Sequence, residues 1–219
     1  MRLTEKGLVT ADKFVITGRP GTGKSSLLRG LALFAEDLGL AYAAIFMPEV
    51  RKGKRRAGFA IESVTFNPQT ESTPVKERKK ATKITHLTPF VHLIHQAGNL
   101  SPSLDIPNRV GRYDVNPRVV GEMVVTPLQA ILHTGTISLV FLDEVGPMYL
   151  RHPPFLDTLR NLLKAPTSCF ITLADGTDPA IQEEIRAHPR VEMFVLTSDN
   201  RDALLNTFIA QLVDKAACE

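Results

Sequence analysis

At 219 residues, 43% of them hydrophobic, the chain fits one α/β domain whose core needs no disulfide or metal to hold it. Its 26 basic and 23 acidic residues leave a formal net charge of +3, which excludes a polyelectrolyte obliged to seek nucleic acid, although the pI near 8.9 leans that way. The two cysteines, Cys169 inside an apolar run and Cys218 at the tail, show no metal-ligand spacing and suit a reducing compartment. MRLTEKGL carries no hydrophobic signal segment and no run reaches membrane-spanning length, so a soluble, cytoplasmic protein is expected.

The first informative stretch is KFVITGRPGTGKSSLL, residues 13–28. Phe14, Val15 and Ile16 read as a short buried strand that breaks at Gly18. Arg19, Pro20, Gly21, Thr22, Gly23, Lys24, Ser25 and Ser26 follow and lead into a helical pattern. This is G-x-x-x-x-G-K-[ST] in a strand–loop–helix setting, the P-loop. Its glycines let backbone N–H groups turn inward around a phosphate, in conformations costly for other residues. The helix start aims its unpaired N–H groups and positive dipole end at the same point. Lys24 is expected at the β and γ phosphates, and the Ser25 hydroxyl on Mg²⁺. The stretch implies binding of a nucleoside di- or triphosphate.

Leu27, Leu31, Phe34 and Leu38 then form the stripe of a helix packed on a sheet, and Gly39 stops it. AYAAIFM (41–47) is the second strand. PEVRKGKRRAGFAIESVTF (48–66) reads as a β-hairpin turning near Gly53, with Arg51, Lys52, Lys54, Arg55 and Arg56 at its tip. Most of these charges are expected to be solvated. Alternation leaves about half able to face inward, one or two of them over the phosphates. Residues 67–108 carry Pro68, Pro74, Pro89, Pro102 and Pro107 and the basic run KERKKATK (76–83). They read as an insertion or lid on a single domain, 1–219, with a helical fragment around 89–97. His86, His92 and His95 fall there without a carboxylate or cysteine and read as ordinary histidines.

RVGRYDV (109–115) is a compact strand or loop with two arginines, and Pro117 opens a helix reaching about His133. Thr136 to Leu142 reads as a buried strand ending in Asp143-Glu144, the Walker B pattern, which delivers Asp143 to the carboxyl edge of the sheet beside the P-loop. Helix 154–164, strand 168–173, helix 178–187, strand 191–196 and helix 201–215 complete the alternation, with Ser198, Asp199 or Asn200 capping the last helix. The fold class expected is α/β, three layers around a mostly parallel sheet, with a β-hairpin and an insertion after the second strand.

Mg²⁺ held by Ser25 and Asp143 would bridge the β and γ oxygens, and Glu144 is placed to polarise a water for in-line attack as general base. The alternative is a nucleotide or nucleoside kinase, in which a bound acceptor supplies the attacking oxygen. A third reading is a nucleotide-dependent nucleic-acid binder acting through 51–56 and 76–83. It lacks aromatic interleaving, Phe59 being the one ring close to those runs. Arg19, Arg55, Arg56, Arg109 and Arg112 are candidate cations for the developing charge.

GRPGTGKSSL, Glu49-Val50-Arg51 with Arg56, Gly58 and Phe59, RVGRYDVN, FLDEVGPM and TSDNRDAL (197–204) together resemble the nucleoside-triphosphatase family of archaea, bacteria and animals, whose animal member is called cancer-related nucleoside triphosphatase. The resemblance covers nearly the whole chain except most of 70–107. It implies a monomeric, RecA-like P-loop domain that slowly hydrolyses ATP, GTP and other nucleoside triphosphates with Mg²⁺. It also implies phosphate and metal binding by Gly23, Lys24 and Ser25, and an acidic pair at Asp143 and Glu144. Basic positions recurring at Arg51, Arg56 and Arg109 select Arg56 and Arg109, beside Lys24 and Glu144, as catalytic. Asn200 and Arg201 match a late Asn-Arg pair that lies near the base or stabilises the last helix. The chain departs from the family at Tyr149, where a glutamate is common after Met, at Ala174-Asp175, where a histidine is common, and in its longer, more basic insertion.

Overall fold

The computed structural model describes residues 12–68 and 108–218, together with the strands at 2–4, 7–9 and 82–93. β1 (Arg2–Thr4) and β2 (Gly7–Val9) form an antiparallel two-stranded sheet of their own. The main sheet begins with β3 (Lys13–Thr17), which runs through the phosphate loop into helix α1 (Lys24–Asp37). Gly39, at φ 74, ends that helix as expected. β4 (Tyr42–Phe46) follows, then the hairpin of β5 (Glu49–Lys52) and the long β6 (Arg55–Asn67), turning at Gly53 with φ 61. β7 (Thr82–Leu93) and a two-strand hairpin, β8 (Arg109–Val110) and β9 (Tyr113–Val115), come next.

Asn116 caps α2 (Pro117–Val120), its side chain accepting the Arg118 N–H at 3.1 Å. A π turn, Gly121–Val125, then carries the chain into α3 (Thr126–Thr134). Pro127 explains the wide turn: it has no N–H and its ring would clash with the carbonyl four residues back, so the helix survives only by opening there. β10 (Leu139–Val145), a 3₁₀ turn (Tyr149–Arg151), α4 (Pro154–Lys164), β11 (Ser168–Leu173), α5 (Pro179–Ala187), β12 (Val191–Val195) and α6 (Arg201–Cys218) complete the described chain.

The strand order is β12-β3-β11-β10-β4-β6-β7-β9-β8, with β5 paired to β6. The first five strands are mutually parallel, and β6 onward adds an antiparallel wing. Alternation along the parallel strands fills two cores. Val15, Val140, Leu142 and Ile171 face one side, against α2, α3, α4 and α5. Phe14, Ile16, Phe141 and Phe170 face the other, against α1 and α6. Both faces are covered, which is why these strands are continuously apolar. The α/β, three-layer architecture expected from the sequence is the one observed.

Three expectations change. Residues 89–93 belong to strand β7, paired antiparallel with β6, and not to a helical fragment; 94–97 lie outside the described residues. β10 starts at Leu139 and runs through the acidic pair to Val145, so Asp143 and Glu144 sit within the strand's end. Asn200 turns its side chain back, donating from Nδ2 to the Val195 carbonyl at 2.8 Å and accepting the Thr197 N–H at 2.9 Å, so it braces the turn before α6. His95 and most of the 76–83 basic run lie outside the described residues. Among the described residues no helix is long and apolar enough to cross a membrane.

Candidate active site

Gly21 (φ +83) and Gly23 (φ +94) hold the loop after β3 in left-handed backbone that other residues rarely adopt. Gly18 is needed for space: a Cβ there would lie 2.5 Å from the Leu196 carbonyl oxygen, so the turn after β12 packs directly on the loop. Thr22 closes the loop on itself, donating from its N–H (3.3 Å) and its hydroxyl (3.0 Å) to the Arg19 carbonyl. Lys24 opens α1 and is only 7% exposed. Its Nζ donates to the Gly18 carbonyl at 2.9 Å and the Arg19 carbonyl at 3.4 Å, and lies 3.4 Å from Glu144 Oε1. A buried ammonium held by carbonyls and one carboxylate, beside a helix N-terminus, is arranged to meet an anion.

The end of β10 supplies the opposing charge. Asp143 is 1% exposed, and its Oδ1 accepts from the Ser25 hydroxyl at 3.1 Å and the Thr172 hydroxyl at 2.5 Å. Burial pushes its pKa up. The Thr172 and Ser25 hydrogen bonds, a backbone hydrogen bond from Met47 and the charge of Arg29 pull the other way. The Tyr149 hydroxyl donates at 2.8 Å to the Asp143 carbonyl, fixing the backbone that carries the carboxylate. Burial likewise raises the pKa of Glu144, opposed by Lys24 and reinforced by Asp143. The Glu144 side chain keeps 25% of its surface exposed, enough to meet a water molecule.

These groups open into a cleft of 540 Å³. Pro20, Gly21, Gly23, Lys24, Ser25 and Ser26 form its floor, and Asp143 and Glu144 with the 174–176 loop form one wall. The facing wall is Met47, Pro48, Glu49, Arg56 and Phe59, with Arg29 reaching in from α1. Arg29 is held by Glu62 at 2.5 Å and stacks over Phe46 at 4.1 Å. Arg56 is held by Glu49 at 2.6 Å and lies over Phe59 at 5.3 Å. Arg51 also pairs with Glu49 (2.7 Å) but is not among the residues lining the cleft. Arg109 is not among the residues lining the cleft: its Nε donates at 2.7 Å to the Gly111 carbonyl within its own hairpin. Arg19 lends its backbone to the loop, and its side chain is exposed outside the cleft.

Sequence reasoning passed over Thr172, Arg29, Glu62, Tyr149 and the 174–176 loop as site residues. Thr172 left one trace, a polar side chain inside the otherwise apolar run CFITL. Arg29 lies on α1 just after the loop but in no motif, and Glu62, Tyr149 and the 174–176 loop are brought to the site only by the fold.

A family model described as NTPase matches residues 13–209. The chain is 27% identical over 198 residues to the nucleoside-triphosphatase THEP1 of Thermotoga petrophila, covering 90% of each protein. It is 25% identical over 206 residues to a cancer-related nucleoside-triphosphatase homolog of Bos taurus, covering 90% of this chain and 94% of that one. Its structure superposes on the crystal structure of THEP1 from the hyperthermophile Aquifex aeolicus with a TM-score of 0.61 at 25% identity, over 91% of this chain and 98% of that one. With a family match across nearly the whole length and a phosphate loop facing an acidic pair, the chain belongs to the NTPase family.

Proposed function

We propose that the protein hydrolyses the β–γ phosphoanhydride bond of nucleoside triphosphates, giving nucleoside diphosphate and phosphate, with Mg²⁺ as the metal and broad tolerance of the base. One observation carries the reading: Lys24 and Glu144, 3.4 Å apart, share one cleft with the hydrogen-bonded pair Ser25 and Asp143. Ser25 Oγ and Asp143 Oδ1 are hard oxygen donors, the kind Mg²⁺ takes. Among the described residues no group of three or more His, Cys, Asp or Glu could hold a metal alone, which suits an ion completed by substrate phosphates. When bound, Mg²⁺ would neutralise charge on the β and γ oxygens.

The loop amides and Lys24 bind the phosphates. As Lys24 turns to them it leaves the Gly18 and Arg19 carbonyls and Glu144, and losing that cation raises the basicity of Glu144 further. Glu144 then takes a proton from the attacking water as its oxygen bonds to the γ phosphorus and the bridging oxygen departs with the diphosphate. Arg56 and Arg29, the guanidinium groups lining the cleft, face the charge that develops. The same reading takes the protein as a monomer and places it in the cytoplasm, a reducing compartment that suits the free thiols Cys169 and Cys218.

The test is inorganic phosphate release from ATP, GTP, CTP and UTP with Mg²⁺, wild type against Glu144→Gln. Release from several triphosphates is expected, falling at least about a hundredfold in the variant while nucleotide binding persists. Undiminished turnover in Glu144→Gln would remove Glu144 as the base. Binding without release from any of the four would overturn the hydrolase reading.

A further inference from the structure

Arg56 must be aimed before it can meet charge in the cleft. It is 44% exposed, and a long side chain so exposed keeps many rotamers unless something directs it. Glu49 holds it at 2.6 Å but cannot aim it alone, because the same carboxylate also holds Arg51 at 2.7 Å. Arg51 and Arg56 stand directly opposite in the β5–β6 ladder, as do Lys52 and Arg55. Like charges so placed repel, and among the described residues Lys52, Lys54 and Arg55 make no ion pair to offset it.

A second group reaches Arg56 from β9, two strands away from β6. Tyr113 is only 8% exposed. Its ring meets Phe59 edge to face at 5.4 Å and lies under Arg112 at 5.7 Å, while Arg56 lies over the same Phe59 at 5.3 Å. The Tyr113 hydroxyl is buried and makes no full hydrogen bond among the described residues. It nevertheless acts on the Arg56 guanidinium: after Glu49, it is the group that most raises the pKa of that cation. A buried hydroxyl short of its hydrogen bond costs stability, and phenylalanine would pack in the same place without that cost. The oxygen therefore has a use that packing does not supply, and the guanidinium it faces lines the cleft.

We propose that Tyr113 is the positioning residue for Arg56; this rests on the hydrolase reading above. As Arg56 turns from Glu49 to the charge developing on the γ-phosphate, the Tyr113 oxygen accepts one of its N–H groups and fixes the guanidinium against Phe59. A guanidinium carries five donors in a rigid fork, so one can be anchored while others meet phosphate oxygens. The RVGRY stretch then serves the site through Tyr113, whereas Arg109 is held by the Gly111 carbonyl within its own hairpin. Because the hydroxyl gains its hydrogen bond as the transition state forms, its contribution falls on kcat and not on KM.

The experiment follows phosphate release from MgATP by the full-length protein as wild type, Tyr113→Phe, Arg56→Ala and the double variant, with melting temperatures alongside. Tyr113→Phe should lower kcat about tenfold, the scale of one hydrogen bond to a charged group, with KM within about twofold and the melting temperature not lowered. Arg56→Ala should lower kcat by at least as much. Adding Tyr113→Phe to it should change kcat by less than about twofold, since the tyrosine acts through the arginine. A kcat for Tyr113→Phe within about twofold of wild type would overturn the inference. So would a further loss of about tenfold in the Arg56→Ala background, or a loss confined to KM and melting temperature. Undiminished turnover in Arg56→Ala would remove the cation and this inference with it, while release by wild type leaves the hydrolase reading standing. Absence of release from wild type would overturn both.

Discussion

Burial raises the pKa of both Asp143 and Glu144, and the two shifts have different consequences. In each case the folded-state value lies above the unfolded one, so the folded protein binds the more protons between the two values. Stability is therefore present in full below the unfolded value and is lost as pH rises through the raised one. Holding Asp143 as a buried carboxylate is therefore a cost to the fold, kept for the metal. Asp143→Asn should accordingly raise the melting temperature in metal-free buffer at pH 7, by about 2–4 °C for each kcal/mol recovered, while abolishing phosphate release. A lower melting temperature would mean that the Ser25 and Thr172 hydrogen bonds outweigh desolvation. Glu144 must be ionised to accept a proton, so the acid limb of kcat should sit above the ordinary glutamate range and vanish from the residual activity of Glu144→Gln; a limb unmoved by that substitution would belong to another group. The P-loop and the acidic pair were legible because each is a contiguous motif whose spacing is its geometry. Arg29 was not, because its role depends on Glu62, which reaches it from β6, 33 residues away.

The elements that shape the site do so through single contacts. Tyr149 in the 3₁₀ turn is buried and donates to the Asp143 carbonyl. Tyr149→Phe leaves that carbonyl without this donor, which should cost about 1–3 kcal/mol in urea unfolding and weaken the metal dependence of turnover. A stable variant with unchanged metal dependence would show that β10 holds Asp143 unaided. The departure at Tyr149 was visible in the sequence, but its meaning was not, because nothing local says that the turn folds back under β10. Gly18→Ala should separate the loop from the β12–α6 turn, since its Cβ would meet the Leu196 carbonyl at 2.5 Å; loss of ADP binding with a lowered melting temperature is expected. At this scale the parallel strands and their helices followed from apolar runs and caps. β7 did not, because Pro89 argues against a strand interior. Its partner is Ala60, beside the register shift between Phe59 and Ala60, and a bulge is where a ladder tolerates a missing N–H. The wide turn before α3 escaped because the apolar positions of 117–133 read as one helix and masked Pro127 in its interior, whose missing N–H and ring require the opening.

Across the molecule, the two faces of the sheet contribute unequally to the site. α1 and α6 share one core, in which Phe208 is fully buried and meets Phe170 and Phe194 edge-on at 5.4 and 4.9 Å and Phe14 at 6.0 Å. α4 packs in the opposite core through Leu159, on the face of the sheet away from α1 and α6. Phe208→Ala and Leu159→Ala should both destabilise, by about 3–5 and 2–5 kcal/mol in urea unfolding. Their effects on nucleotide binding should part. Loosening α6 frees the turn that packs on Gly18 and Gly23, so Phe208→Ala should weaken MgADP binding, whereas Leu159→Ala should leave it near wild type. Linkage supplies the readout: ligand at 100 times its Kd adds about 2.7 kcal/mol to the unfolding free energy. At one fixed ADP concentration that increment should persist in Leu159→Ala and shrink in Phe208→Ala. Equal increments in the two variants would mean that the loop is held by β3 and α1 alone, and that the β12–α6 turn is a bystander to nucleotide binding.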